Sequence, residues 1–149
     1  MKIFIDGDAC SVTEITEQIA SANSIECHIY CDTAHIIDSD YSQVHIVDKG
    51  SNAVDFAILN NCGRNDIIIT NDSGLAALAL AKNCYALNCS GVMYTNRNIM
   101  SFLIRRYLRQ DARRKSHRDQ VNGMRSCDRN KHHHSFPVSL KRIITTTMA

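Results

Sequence analysis

No stretch of about 18 apolar residues occurs in the 149-residue chain, so no membrane-spanning helix is expected. Also missing is the charged region, apolar stretch and cleavage site of a secretory signal. The chain runs straight into "KIFID", and a cytoplasmic protein with no membrane partner is expected. There is no CxxC pair: the seven cysteines are odd in number and irregularly spaced, which reads as reduced thiols rather than a disulfide framework. The nearest approach to a zinc pattern is "CHIYC" (Cys27, His28, Cys31), with Cys127 or His132, His133 and His134 to complete it. That segment alternates like a strand, so zinc is not expected. The triple histidine reads as a solvated or helix-start cluster. No internal repeat is found, and a chain of this length forms one domain, residues 1–149, hiding roughly two-thirds of its unfolded surface.

Basic residues are scarce in the first 104 positions, where five Lys and Arg stand against twelve Asp and Glu, a net of −7. Residues 105 to 149 carry twelve against three, a net of +9. The asymmetry predicts an acidic body beside a basic surface suited to an anionic partner.

Short β-rich runs alternate with helical stretches. "KIFID" (2 to 6), "ECHIYC" (26 to 31), "QVHIVD" (43 to 48), "DIIIT" (66 to 70) and "CYALN" (84 to 88) read as strands. Residues 11 to 23 read as a helix with Ser11 as N-cap, Glu14 completing a capping box, and Val12, Ile15, Ile19 and Ala22 on one stripe. A second helix carries Asp55, with Ser51 or Asn52 as N-cap. A third opens with Asn71, Asp72 and Ser73. The aspartate-rich residues 32 to 42 read as a loop. Continuous apolar strands between helices predict an α/β fold, a three-layer α/β/α sandwich on a mainly parallel sheet of about five strands. Residues 95 to 149 form a basic helical extension. In it one long helix packs Ile99, Phe102, Leu103 and Tyr107 inward, a polar arm spans 116 to 133, and Phe136, Leu140, Ile143 and Ile144 dock back on the sheet.

In an open parallel sheet, ligands gather beyond the carboxyl ends of the strands where strand order reverses. The first strand ends at Asp6 with Asp8 just beyond, and "DIIIT" is followed by Asp72. If those strands are neighbours, three carboxylates converge and Asp55 completes the ring. Asp72 alone could be an N-cap and Asp8 alone a turn former, but clustered carboxylates repel unless a cation is bound. Hard oxygen donors suit Mg²⁺ or Mn²⁺.

The stretches "IDGDACSV", "SNAVDFAI", "DIIITNDSGLAALAL", "ALNCSGVMYTNRNI" and "FPVSLKRII" resemble, in order and spacing, the YaiI/YqxD family of uncharacterised bacterial proteins, regarded as PIN-like and close to NYN ribonuclease-type domains. The resemblance covers nearly the whole chain. It differs in having Ser11 where a proline is usual, and in showing the glycine-proline element of the basic loop only as "NGMRS" around Gly123. It implies a metal pocket at Asp6, Asp8, Asp55 and Asp72, and with it a divalent-metal-dependent ribonuclease-like phosphodiesterase. Asp6 and Asp72 would be the primary ligands, and Asp8 and Asp55 would bind through water or orient the attacking water. Thr70, Asn71 and Ser73 would hydrogen-bond the ligands or contact phosphate at a helix N-terminus. Arg105, Arg106, Arg109, Arg113 and Arg114 are expected to contact the backbone of a nucleic acid, RNA above all.

Two alternatives stand beside it. "FIDGD" also resembles the DxD of haloacid-dehalogenase-type phosphatases, but that chemistry also needs a later acidic pair after a strand, and after Asp72 the only carboxylates are Asp111, Asp119 and Asp128, all in basic surroundings. The other is a nucleic-acid-binding protein without catalysis that uses only the basic helix and arm.

Overall fold

The computed structural model describes residues 1–7, 11–116 and 135–149. The opening apolar run forms β1 (Ile3–Asp6), in which all four residues are buried. Because successive strand side chains point to opposite faces, Ile3 and Ile5 enter one core and Phe4 the other, so β1 needs a helical layer on each side. On one face lie α1 (Thr13–Ala22) and α5 (Phe136–Met148), which with Val12 just before α1 supply Ile19, Phe136, Leu140, Ile143 and Ile144 to the core. On the other lie α2 (Ala53–Asn61) and α3 (Ser73–Ala81), which bring Val54, Ile58, Leu75, Ala76 and Ala79 against Phe4 and Ile68.

The remaining strands are β2 (Cys27–Asp32), β3 (Gln43–Val47), β4 (Ile67–Ile69), β5 (Tyr85–Leu87) and β6 (Met93–Tyr94). They form one sheet of order β3-β2-β1-β4-β5-β6, parallel except for the antiparallel β5–β6 pair. The chain proceeds outward from β1 through β2 to β3, then returns to lay β4 on the other side of β1. The reversal of strand order therefore falls between β1 and β4. Six strands replace the expected five, because β6 has only two residues and pairs through the tight loop after β5. In that loop Asn88 Oδ1 accepts from the N–H groups of Ser90 and Val92.

Gly91 turns this loop at φ +88°, and a Cβ there would lie 2.6 Å from Phe136 N, so only glycine lets α5 start where it does. Phe136, Leu140, Ile143 and Ile144 are all buried, as the pattern of "FPVSLKRII" predicts.

Other details differ from expectation. Helix α1 begins at Thr13 with Val12 at the N-cap and no side-chain cap bond, so Ser11 does not cap it. Its buried stripe is Thr16, Ile19 and Ala20, with Ile15 and Ala22 exposed; Thr16 is tolerated inside because its hydroxyl donates to Val12 O at 2.7 Å. Asn52 does stand at the N-cap of α2, in the left-handed conformation (φ 62°) that asparagine tolerates, and makes no side-chain cap bond.

The long basic helix α4 (Ile99–Ser116) contains no fully buried residue. Phe102 meets Tyr94 of β6 edge-on at 4.9 Å between centroids, and Ile99 and Leu103 are half-buried beside it. Tyr107, expected inward, is exposed, and the half-buried position next to it belongs to Arg106. Asp8, Cys10, Cys127, the polar arm beyond Ser116 and His132 to His134 lie outside the described residues. Among the described residues no helix is long and apolar enough to cross a membrane, and the five described cysteines are buried free thiols.

Candidate functional site

Asp6 is the last residue of β1 and is 5% exposed. An aspartate at the end of a fully buried central strand keeps one side open only where the helical layers part, which in this topology is beside β4. There Thr70, fully buried just past β4, donates its hydroxyl to Asp6 Oδ2 at 2.8 Å. The same Thr70 oxygen accepts from the Asp72 N–H at 3.0 Å. One hydroxyl thus ties the end of β1 to the start of α3.

Asp72 is the N-cap of α3: its Oδ1 accepts from the N–H groups of Gly74 at 2.6 Å and Leu75 at 3.3 Å. The same oxygen also receives Arg106 Nη1 from α4. Gly74 makes room for that approach, because a Cβ there would collide with Arg106 Nη1 and lie 3.0 Å from Asp72 Oδ1. The N-cap reading of Asp72 is therefore correct and incomplete, since a capping carboxylate is here also the anchor of the basic helix.

Asp6, Asp72 and Asp55, from the first turn of α2, line one cleft of about 270 Å³ together with Asp32, Asn52 and Gly50. The sequence pattern places Asp32 in a loop. It is the last residue of β2, the strand next to β1, so the rule that pointed to Asp6 reaches it too. The imidazole of His35, with Nδ1 at 3.0 Å, and the Ala34 N–H at 2.8 Å hold the Asp32 carboxyl below its usual range. Of the expected carboxylates three share the cleft, Asp8 lies outside the described residues, and Asp32 is added.

The four side chains line a common wall rather than a closed cage. Among the described residues no three His, Cys, Asp or Glu side chains are grouped tightly enough to hold a metal ion. The donor set is nonetheless all carboxylate oxygen, one member of it buried, which matches the chemistry of a hard divalent cation.

Asn71 and Ser73 face a different space. With Asp72 they line a groove of about 710 Å³ walled by Arg106, Arg109, Gln110 and Arg113, residues one helical turn apart on α4. Asn71 Oδ1 also accepts from Cys89 N at 3.0 Å, bracing the β5–β6 loop. A second groove, about 660 Å³, lies on the other side of that arginine row and is lined by Arg105, Arg109, Phe102, Leu108 and Asn88. The Arg105 guanidinium sits 5.6 Å from the centre of the Phe102 ring. Arg114 is exposed and lines neither groove. Asp72 and Arg106 form the boundary: the acidic cleft opens on one side of Asp72 and the arginine groove on the other.

Strand alternation divides the "CHIYC" segment between the two faces of the sheet. Cys27 and Ile29 enter the α1–α5 core, and His28 points to the opposite face, stacked between Phe4 and His45 at 5.2 Å from each ring centre.

Comparison with known proteins places the chain. The profile described as "Uncharacterized BCR, YaiI/YqxD family" matches residues 4–146. A UPF0178 protein of Clostridium acetobutylicum is 44% identical over 125 residues, covering 84% of each chain. A UPF0178 protein of Clostridium perfringens is 43% identical over 126 residues, 85% of each. One of Clostridium kluyveri is 46% identical over 114 residues, 76% of this chain and 75% of its own. No solved structure matches. The profile spans nearly every described element from β1 to α5, and on that ground the chain belongs to the YaiI/YqxD family.

Proposed function

We propose that this protein is a divalent-metal-dependent phosphodiesterase of PIN-like type that cleaves nucleic acid, RNA being the expected substrate, in the bacterial cytoplasm. The observation that carries this reading is the shared wall: four carboxylates (Asp6, Asp32, Asp55 and Asp72) line a cleft at the reversal of strand order, and Asp72 also borders the arginine groove. A phosphodiester is the ligand whose chemistry needs both sides at once. Its anionic backbone pairs with guanidinium groups, and its scissile phosphorus needs oxygen ligands for a cation beside it.

Asp6 and Asp72 are the residues proposed to hold Mg²⁺ or Mn²⁺, with Asp32, Asp55 and Asp8 contacting it through water or orienting the attacking water. Bound there, the ion supplies Lewis-acid stabilisation of a phosphoryl oxygen and lowers the pKa of water. The protein's own part is positioning. Thr70 fixes the rotation of the Asp6 carboxylate through its hydroxyl, and the Gly74 and Leu75 N–H groups fix that of Asp72. Arg106, already on Asp72, stands where it can pass from that carboxylate to a phosphate oxygen, while Arg109 and Arg113 extend the anion track along α4.

Purified protein supplied with Mn²⁺ is expected to cleave labelled single-stranded RNA, and Asp6→Asn is expected to abolish cleavage while leaving the fold intact by circular dichroism. Equal rates for the variant and the wild type would assign the activity to a contaminant and overturn the reading.

A further inference from the structure

A further concavity adjoins the acidic cleft and the groove of Arg106 and is unlike either. It is a notch of about 210 Å³ between α2 and α3, floored by Leu75 and walled by Phe56 and Leu78. Phe56 is 60% exposed and Leu78 52%, although each belongs to a helix that already buries another face against the sheet. Scattered exposed apolar residues need no explanation, but here two large ones from separate helices face one hollow. The notch shares Asn52 and Asp55 with the acidic cleft and Arg106 with the arginine groove. Apolar, anionic and cationic surfaces thus meet around a single corner.

We infer that this notch takes one unpaired nucleobase, with Phe56 as its stacking platform, and that the ligand of the whole site is therefore single-stranded nucleic acid. The inference rests on the phosphodiesterase reading for the placement of the phosphate, and on the notch itself for the base. A base has a flat π-face that stacks on an aromatic ring or a guanidinium plane, and the notch offers both, Phe56 on one wall and Arg106 on another. Charge selects the occupant. An apolar peptide would fill the hollow and leave the adjoining Arg109 and Arg113 unmatched, whereas a nucleotide meets them with its phosphates. In a duplex the base stays inside the stack and cannot reach a hollow in the protein surface, so the notch discriminates against double strands.

The test is binding rather than turnover. A short single-stranded RNA carrying 2-aminopurine is titrated with protein in EDTA, with anisotropy reporting affinity and fluorescence quenching reporting stacking. Wild type is expected to bind and to quench. Phe56→Ala is expected to bind about 5- to 150-fold more weakly and to lose the quenching, and Phe56→Tyr to keep both. Duplex RNA is expected to bind wild type and Phe56→Ala alike. Because Phe56 is exposed, its truncation leaves the thermal transition in place. If Phe56→Ala binds and quenches as wild type does while Asp6→Asn still abolishes cleavage, the base site falls and the phosphodiesterase reading stands. If wild type binds no RNA at all, both fall. If Phe56→Ala instead changes the sedimentation of the protein and leaves RNA binding unaltered, the face is a protein interface and the base site is overturned.

Discussion

The hydroxyl of Thr70 lies 2.8 Å from Asp6 Oδ2, a bond that joins residues 64 positions apart at the point where the sheet reverses its strand order. Both partners are buried, so the bond helps stabilise the fold as well as setting the orientation of the carboxylate. Thr70→Val keeps the volume but removes a donor from Asp6 and an acceptor from the Asp72 N–H. A buried group left without its partner costs about 1–3 kcal/mol, and that loss is expected in urea unfolding. A change within about 0.5 kcal/mol, the range of an ordinary surface substitution, would mean that the bond does not hold the site together.

Gly74 predicts a dissociation of stability from site geometry. A Cβ at this position collides with the mobile end of Arg106 rather than with backbone, so in Gly74→Ala the guanidinium swings away from Asp72. The ion pair it gives up is partly exposed and worth about 0–1 kcal/mol, while alanine in a helix gains about 0.5–1 kcal/mol over glycine. The thermal midpoint is expected to stay nearly unchanged, while the guanidinium NMR signals of Arg106 move to those of a free side chain. Arg106 signals identical to wild type would contradict this.

Much of the architecture is legible in the sequence, for reasons that can be named. "KIFID" and "DIIIT" carry apolar side chains on both faces, which fixes β1 and β4 as central strands and puts Asp6 and Asp72 at one edge. Asp32 obeys the same rule but was hidden, because an aspartate opening a polar stretch looks like a loop residue whether or not it ends a strand. Tyr107 illustrates a different limit. Helical periodicity assigns the inward position to the apolar side chain, yet the counter-charge of Asp72, 34 residues earlier, draws Arg106 inward instead. No local pattern reports a partner that distant. Strand β6 escaped for a simpler reason: two residues carry no periodicity.

The arginine row predicts a measurable salt dependence. Arg109 lines both grooves of α4, so Arg109→Ala removes a phosphate contact wherever the strand runs, and the slope of log K against log salt is expected to become shallower by about 0.7 for single-stranded RNA. Arg114→Ala serves as comparator, because that side chain lines neither groove and its loss is expected to leave the slope unchanged. Equal effects of the two substitutions would show that binding follows net charge and not the grooves.

The edge of the sheet supplies a pH prediction. The His45 ring stacks on Tyr30 at 4.4 Å and on His28 at 5.2 Å, with its Nε2 3.0 Å from His28 Nδ1. Burial, and then the charge of His28, push the His45 pKa below its ordinary 6.5. The folded chain therefore binds this proton less readily than the unfolded chain does. The contribution of His45 to stability is whole above pH about 6.5 and falls as the pH drops through that value, until the lower folded pKa is passed. His45→Phe keeps an aromatic ring in the stack and removes the titrating group. The unfolding free energy of the variant, measured by urea titration at a series of pH values, is expected to fall less steeply than that of wild type as the pH is lowered through this window. Parallel profiles would place the acid sensitivity elsewhere, with Asp32 the next group to test, since its carboxyl is held below the ordinary 3.8 and loses its contribution only at more acid pH.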